Sequence, residues 1–121
     1  MLGFSLQAQS RTGYKELGKD QVHHLLSNSR RRHVLKGLLE NGPLSKRELV
    51  DKVAEREYAL PIERVGYDER KRVLVSLSQC HLPKLQDSAV IAENQGTFDV
   101  DRNVEPLKPH LDFERSIRDY F

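Results

Sequence analysis

The sequence predicts a mainly α fold with one small β-hairpin, and three observations carry that prediction. Three successive segments between Asp20 and Glu57 repeat apolar residues at helical spacing, bounded by residues that start or stop helices. A longer stretch from Asp68 to Ile91, with Tyr67 before it, contains Arg70-Lys71-Arg72 near its start and carries the leucines Leu74, Leu77, Leu82 and Leu85. Val90 to Ala92 and Thr97 to Val100 then flank Asn94-Gln95-Gly96, the residue types of a tight hairpin turn. With 121 residues, 37% of them hydrophobic, the chain can bury one core of modest size but not two.

Residues 1–18 alternate weakly (Phe4, Leu6, Ala8) between glycines and read as an N-terminal tail without the pattern of a secretory signal. KDQVHHLLSN offers a short first helix with Val22, Leu25 and Leu26 inward, and Asn28 with Ser29 supplies the next cap. In SRRRHVLKGLLENG the residues Val34, Leu35, Leu38 and Leu39 share a face, and Asn41-Gly42 suits a left-handed helix stop. Ser45-Lys46-Arg47-Glu48 is a capping-box pattern flanked by Leu44 and Leu49 as a hydrophobic staple. Leu49, Val50, Val53 and Ala54 then give a third helix its buried side as far as about Glu57.

The connection Tyr58 to Gly66 contains Tyr58, Leu60, Ile62 and Val65, too apolar for a solvated loop, and Pro61 can open a single helical turn inside it. Gly66 is expected to allow a sharp change of direction, and Asp68 to cap the fourth helix. At about 100 degrees per residue that helix gathers Leu74, Leu77, Leu82 and Leu85 on one side, with Ser78 and His81 among them. Arg72, Ser76 and Gln79 fall on the other. Pro83 should kink or terminate it. Beyond Pro106 and Pro109, the residues Phe113, Ile117, Tyr120 and Phe121 recur at helical spacing as an apolar stripe.

Lys plus Arg number 20 against 18 Asp plus Glu, a net charge of +2, so total charge neither demands nor forbids a polyanionic partner. Its distribution says more. The stretch from Asp99 to Phe121 is acid-rich, and the basic excess lies at Arg30-Arg31-Arg32 and Arg70-Lys71-Arg72. The single cysteine, Cys80, excludes an internal disulfide framework. It is read as an inert small side chain rather than a redox switch. His23, His24, His33 and His81 lack the spacing of a tetrahedral site, so no metal or other cofactor is expected. No apolar run reaches membrane-spanning length. No Gly-rich phosphate loop, G-x-S-x-G elbow or H-E-x-x-H stretch points to catalysis. A cytoplasmic protein that is not an enzyme is the expectation.

Helices followed by a two-stranded hairpin give the order of a winged helix-turn-helix, here residues 19–101, with 102–121 as a C-terminal helix. The wording LLSNSRRRHVLKGLLENGPLSKRELVDKV followed by HLPKLQDSAVI resembles the ArsR-like winged-helix regulators. It is more similar still to an uncharacterised winged-helix family common in salt-loving archaea, which shares the LLSN-x-RRR opening, the RKRV segment and the HLPKL ending. The resemblance covers about Asp20 to Val100 and implies a compact, often dimeric DNA-binding domain with a role in transcription. Two departures stand out: the chain is not strongly acidic, and Ser88 to Asp101 holds no Lys or Arg, so this wing adds little grip on phosphate.

Duplex DNA is thus the expected partner, read by the fourth helix. Arg70, Lys71 and Arg72 occupy its first turn, followed by Ser76 and Gln79. A guanidinium suits G or phosphate, an amide suits A, and a hydroxyl suits either. The competing interpretation is an ordinary solvated helix face. Lys46 and Arg47 stand where a helix-turn-helix crosses the backbone. Arg31 points toward Val34 and Leu38 and should be structural, its head paired with an acid such as Asp20. Arg30 and Arg32 diverge from it and are candidates for phosphate contact. Phe113, Ile117, Tyr120 and Phe121 are candidates for a homodimer contact, with folding back onto their own domain as the alternative. The rival function is a protein-interaction module that uses that stripe to dock.

Overall fold

Residues 16–111 are described by the computed structural model. The chain runs α1 (Lys19–Leu26), α2 (Ser29–Asn41), β1 (Leu44–Ser45), α3 (Lys46–Tyr58), a 3-10 turn (Ile62–Arg64) and α4 (Tyr67–Ser76). A π-helical turn (Leu77–His81) leads into α5 (Leu82–Asp87), then β2 (Ile91–Asn94), β3 (Thr97–Val100) and a second 3-10 stretch (Arg102–Leu107). The fold is a winged helix-turn-helix, with α3 and α4 as the helix pair and β2–β3 as the wing. Residues 108–111 continue as helix; Phe113, Ile117, Tyr120 and Phe121 lie outside the described residues. No described helix is long and apolar enough to cross a membrane.

Local chemistry sets most boundaries. α2 begins where Asn28 Oδ1 accepts from the backbone N–H groups of Arg30 (2.9 Å) and Arg31 (3.3 Å). It stops at Gly42, whose φ of 78° carries no Cβ penalty. α3 opens with the full capping box: the Glu48 N–H donates to Ser45 Oγ at 3.2 Å and the Ser45 N–H to Glu48 Oε1 at 2.8 Å. Leu44 and Leu49, flanking that box, are both buried. The apolar connection does contain one helical turn, preceded by Pro61, and Ile62 and Val65 pack partly buried against the core. The Ile62 N–H donates to Glu55 Oε2 at 3.0 Å, fixing that turn to the end of α3.

The sheet order is β1-β3-β2, all antiparallel, with Leu44 opposite Phe98 and Ile91 opposite Val100. β1 has two residues, too few to show a period in sequence. The hairpin turns on Gln95 and Gly96, both at positive φ (53° and 86°), and its first strand begins one residue later and ends two later than the apolar run suggested. Val34, Leu35, Leu49, Val53, Leu77, Leu85 and Val90 form the centre of the core. Val104, Leu107 and Leu111 join it, so the segment after the wing packs on the same core. Backbone bonds from Asp101 to Val90 O (2.8 Å) and from Asn103 to Ala89 O (3.1 Å) hold it there.

Several expectations are corrected. Leu39 is 37% and Leu74 38% exposed, and the buried positions of α4 and the following turn are Val73, Leu77 and His81. The projection assumed uniform α-helical geometry, whereas the π turn carries an extra residue and re-aims everything after it. Pro83 does not terminate the helix. The Leu82 N–H donates to Leu77 O, five residues back, and the wider turn eases the clash between a proline ring and the carbonyl four residues before it. Gly66 has an ordinary φ of −67° and is itself the N-cap, which leaves Asp68 within the first turn of α4 rather than before it. The left-handed conformation falls instead at Ala59, with φ 56° and ψ 43°.

Candidate nucleic-acid interface

α4 turns Val73 inward and leaves most of its circumference uncovered. Its flank is fixed to α3 by Arg70, whose Nε and Nη2 both lie 2.8 Å from Asp51 Oδ1. Lys71, Arg72 and Gln79 are exposed, whereas Ser76 is half-buried with its hydroxyl shielded from water and unpartnered. Tyr67 is 78% and Val75 42% exposed. The Lys71 ammonium stands 6.0 Å from the Tyr67 ring centroid, at the outer limit of a cation–π contact.

Arg30 lies beside this surface, but its charge is engaged. Its Nε and Nη2 donate to the two carboxylate oxygens of Glu57 at 2.7 and 2.8 Å, tying the start of α2 to the end of α3. That hydrogen bonding raises the Arg30 pKa further and holds the Glu57 carboxyl below its usual range. Arg32 donates from Nη1 to Leu26 O at 2.6 Å, beside the end of α1 rather than beside α4.

Arg31 is structural, as its direction implies, but its partners are not acids. Nε donates to Leu25 O (2.8 Å) and Nη2 to His24 O (2.9 Å), the latter shared with the Ser27 N–H and hydroxyl, so the guanidinium caps the end of α1. Its Nη1 lies 3.1 Å from His81 Nδ1 in the π turn. Burial lowers the Arg31 pKa, with Cys80 opposing. His81 is pushed down by burial first and by the Arg31 charge second.

The fold thus sorts the candidate residues into groups. Lys71, Arg72, Ser76, Gln79 and the neutralised Arg30 line one groove along α4, with Asp68, Val75 and Cys80. Lys46 and Arg47 line a smaller recess of about 240 Å³ with Val50, Arg70 and Leu74. Arg32 belongs to neither. Among the described residues Lys46, Arg47, Lys71 and Arg72 make no ion pair, so their charges are available to an incoming phosphate. The sequence alone does not reveal Glu57 and Asp51 as partners, because they lie 27 and 19 residues from the arginines they bind, beyond any local pattern. Nor does it reveal the apolar share of this surface, since periodicity assigns Leu74 to the core. No group of three His, Cys, Asp or Glu side chains among the described residues is placed to hold a metal.

A family model described as a domain of unknown function, DUF7344, matches residues 23–101. The chain belongs to the DUF7344 family. The matched span starts inside α1 and ends just after β3, so the DUF7344 unit contains both helix-turn-helix helices, the wing and every cation named above. The 3-10 stretch that follows lies outside the DUF7344 match yet shares its core. No curated protein and no solved structure matches the chain.

Proposed function

We propose that this DUF7344 protein is a cytoplasmic, non-enzymatic regulator of transcription that binds duplex DNA as a homodimer, in the manner of the ArsR-like proteins its sequence resembles. One observation carries the reading: Lys46 and Arg47 in the first turn of α3, and Lys71 and Arg72 in the second turn of α4, make no ion pair among the described residues and lie on the two helices that approach DNA in a helix-turn-helix. In this assignment Arg72 and Gln79 reach base edges, while Lys46, Arg47 and Lys71 hold phosphates. Arg70 and Arg30 serve the fold first, because Asp51 and Glu57 already take their charge. The wing contributes shape rather than charge.

The test is Lys71→Ala with Arg72→Ala, bound to genomic DNA selected by the parent protein. Removing a cation that holds a phosphate should lower the slope of log affinity against log salt by about 0.9. Removing a side chain that reads a base should cost about 1–3 kcal/mol at one base position. A folded double variant that binds as the parent does at every salt concentration would falsify the assignment.

A second reading has its own observation. Tyr67, Leu74 and Val75 expose apolar surface on the same helix, which suits a protein partner better than phosphate. Capture from cell extract with nuclease treatment separates the two: a protein retained after the DNA is destroyed favours the interaction module.

A further inference from the structure

We infer that the groove along α4 is a binding site for a small amphipathic monoanion, such as a medium-chain carboxylate. The groove spans about 670 Å³ and is largely open to solvent, so an occupant lies along it rather than enclosed within it. Its wall carries Val75, an exposed aliphatic side chain, and Cys80. The hydroxyl of Ser76, another lining residue, is shielded from water and has no partner. The Val75 and Cys80 side chains favour an apolar body over a fully hydrated one, whereas the Ser76 hydroxyl, turned from solvent, adds no contact to it.

The rim selects the head group. Lys71 and Arg72 are unpaired cations there, whereas Arg30 is held by both oxygens of Glu57. Asp68, on the same rim, opposes a second negative charge. One positive charge is left in excess, which suits one carboxylate. Arg72 can meet it through a charge-assisted hydrogen bond and the Gln79 amide can add a neutral one. An occupant placed there covers Arg72 and Gln79, so ligand and DNA exclude one another. That consequence rests on the DNA-binding reading; the site itself does not.

The experiment titrates the isotopically labelled full chain with octanoate, 1-octanol and octylammonium, each below its self-association concentration, and follows backbone amide resonances. Octanoate should give saturable shifts centred on Val75, Ser76, Gln79 and Cys80. 1-Octanol should bind about tenfold more weakly, and octylammonium more weakly again. Arg72→Gln should bring octanoate down to the level of the alcohol and leave the alcohol unchanged. Val75→Glu should abolish octanoate binding, with both variants' spectra reporting that the fold is intact. Equal affinity for octanoate and octanol, shifts centred elsewhere, or no saturation overturns the site. If octanoate binds as expected yet leaves bound DNA in place, the site stands and the DNA assignment of this face falls.

Discussion

The Arg31 guanidinium points at Nδ1 of His81 across 3.1 Å, joining residues 50 positions apart, one at the start of α2 and the other in the π turn. Both are buried, at 5% and 7% exposure. The contact requires a neutral imidazole, because a protonated Nδ1 has no lone pair to accept with and would face a second positive charge. Burial, then Arg31, then Arg30 and Lys84, all push the His81 pKa down.

Stability should therefore fall on mild acidification. His33 is also depressed, by burial and by Arg56, Lys36 and Arg32, with Glu57 opposing. Below the unfolded value of about 6.5 the unfolded chain binds protons that these two rings do not, so their contribution is complete above that pH and is lost as pH falls through the folded pKa values. The lowered Glu57 pKa keeps that carboxylate out of this window. Urea unfolding between about pH 7.5 and about pH 5 should show the decline, and His81→Gln should flatten part of it. A profile with no slope would remove the argument.

Ala59→Gly should stabilise the protein. Ala59 caps α3 at φ 56°, where a Cβ costs about 1 kcal/mol that glycine avoids. For a domain of this size that corresponds to a rise in Tm of about 4–8 °C. A calorimetric decrease would mean that the Ala59 methyl group or the added chain entropy outweighs the relief of strain.

The connection between α3 and α4 should behave as a brace beneath α4. Ile62→Ser with Val65→Ser removes two partly buried side chains worth about 3 kcal/mol together, and should weaken any DNA binding along with the melting temperature. Unchanged melting and unchanged affinity would reduce the segment to a linker.

Removing residues 112–121 should convert a dimer to a folded monomer in sedimentation. The cut preserves the buried Leu107 and Leu111 and removes Phe113, Ile117, Tyr120 and Phe121. A truncated protein that remains dimeric places the dimer interface elsewhere, and one that unfolds assigns the apolar stripe to its own core.

What the sequence made legible was local. The Asn28 cap, the Ser45–Glu48 box and the Gln95-Gly96 turn are each decided within about four residues, and each forms as its chemistry requires. Periodicity located α1 to α4 but assumed a constant 3.6 residues per turn. That assumption failed where a π turn meets Pro83, because it set Leu74 in line with leucines that lie beyond the turn. The electrostatics of the candidate site were least visible. Asp51 and Glu57 look like ordinary surface acids on α3 until folding brings Arg70 and Arg30 against them, which halves the number of arginines free to meet phosphate near α4 to Arg72 and Arg47.

A helix containing one wide turn is two rods whose angular settings can be chosen separately. Deleting a single residue between Leu77 and His81 would fuse them, rotate α5 by about 100 degrees, and swing Leu82 and Leu85 out of the interior while dragging His81 away from Arg31. Substitutions on the outward side of α4 carry no such penalty, since nothing downstream depends on them for its orientation. The segment from Val73 to Leu85 is consequently permissive in spelling at its exposed letters and intolerant in length.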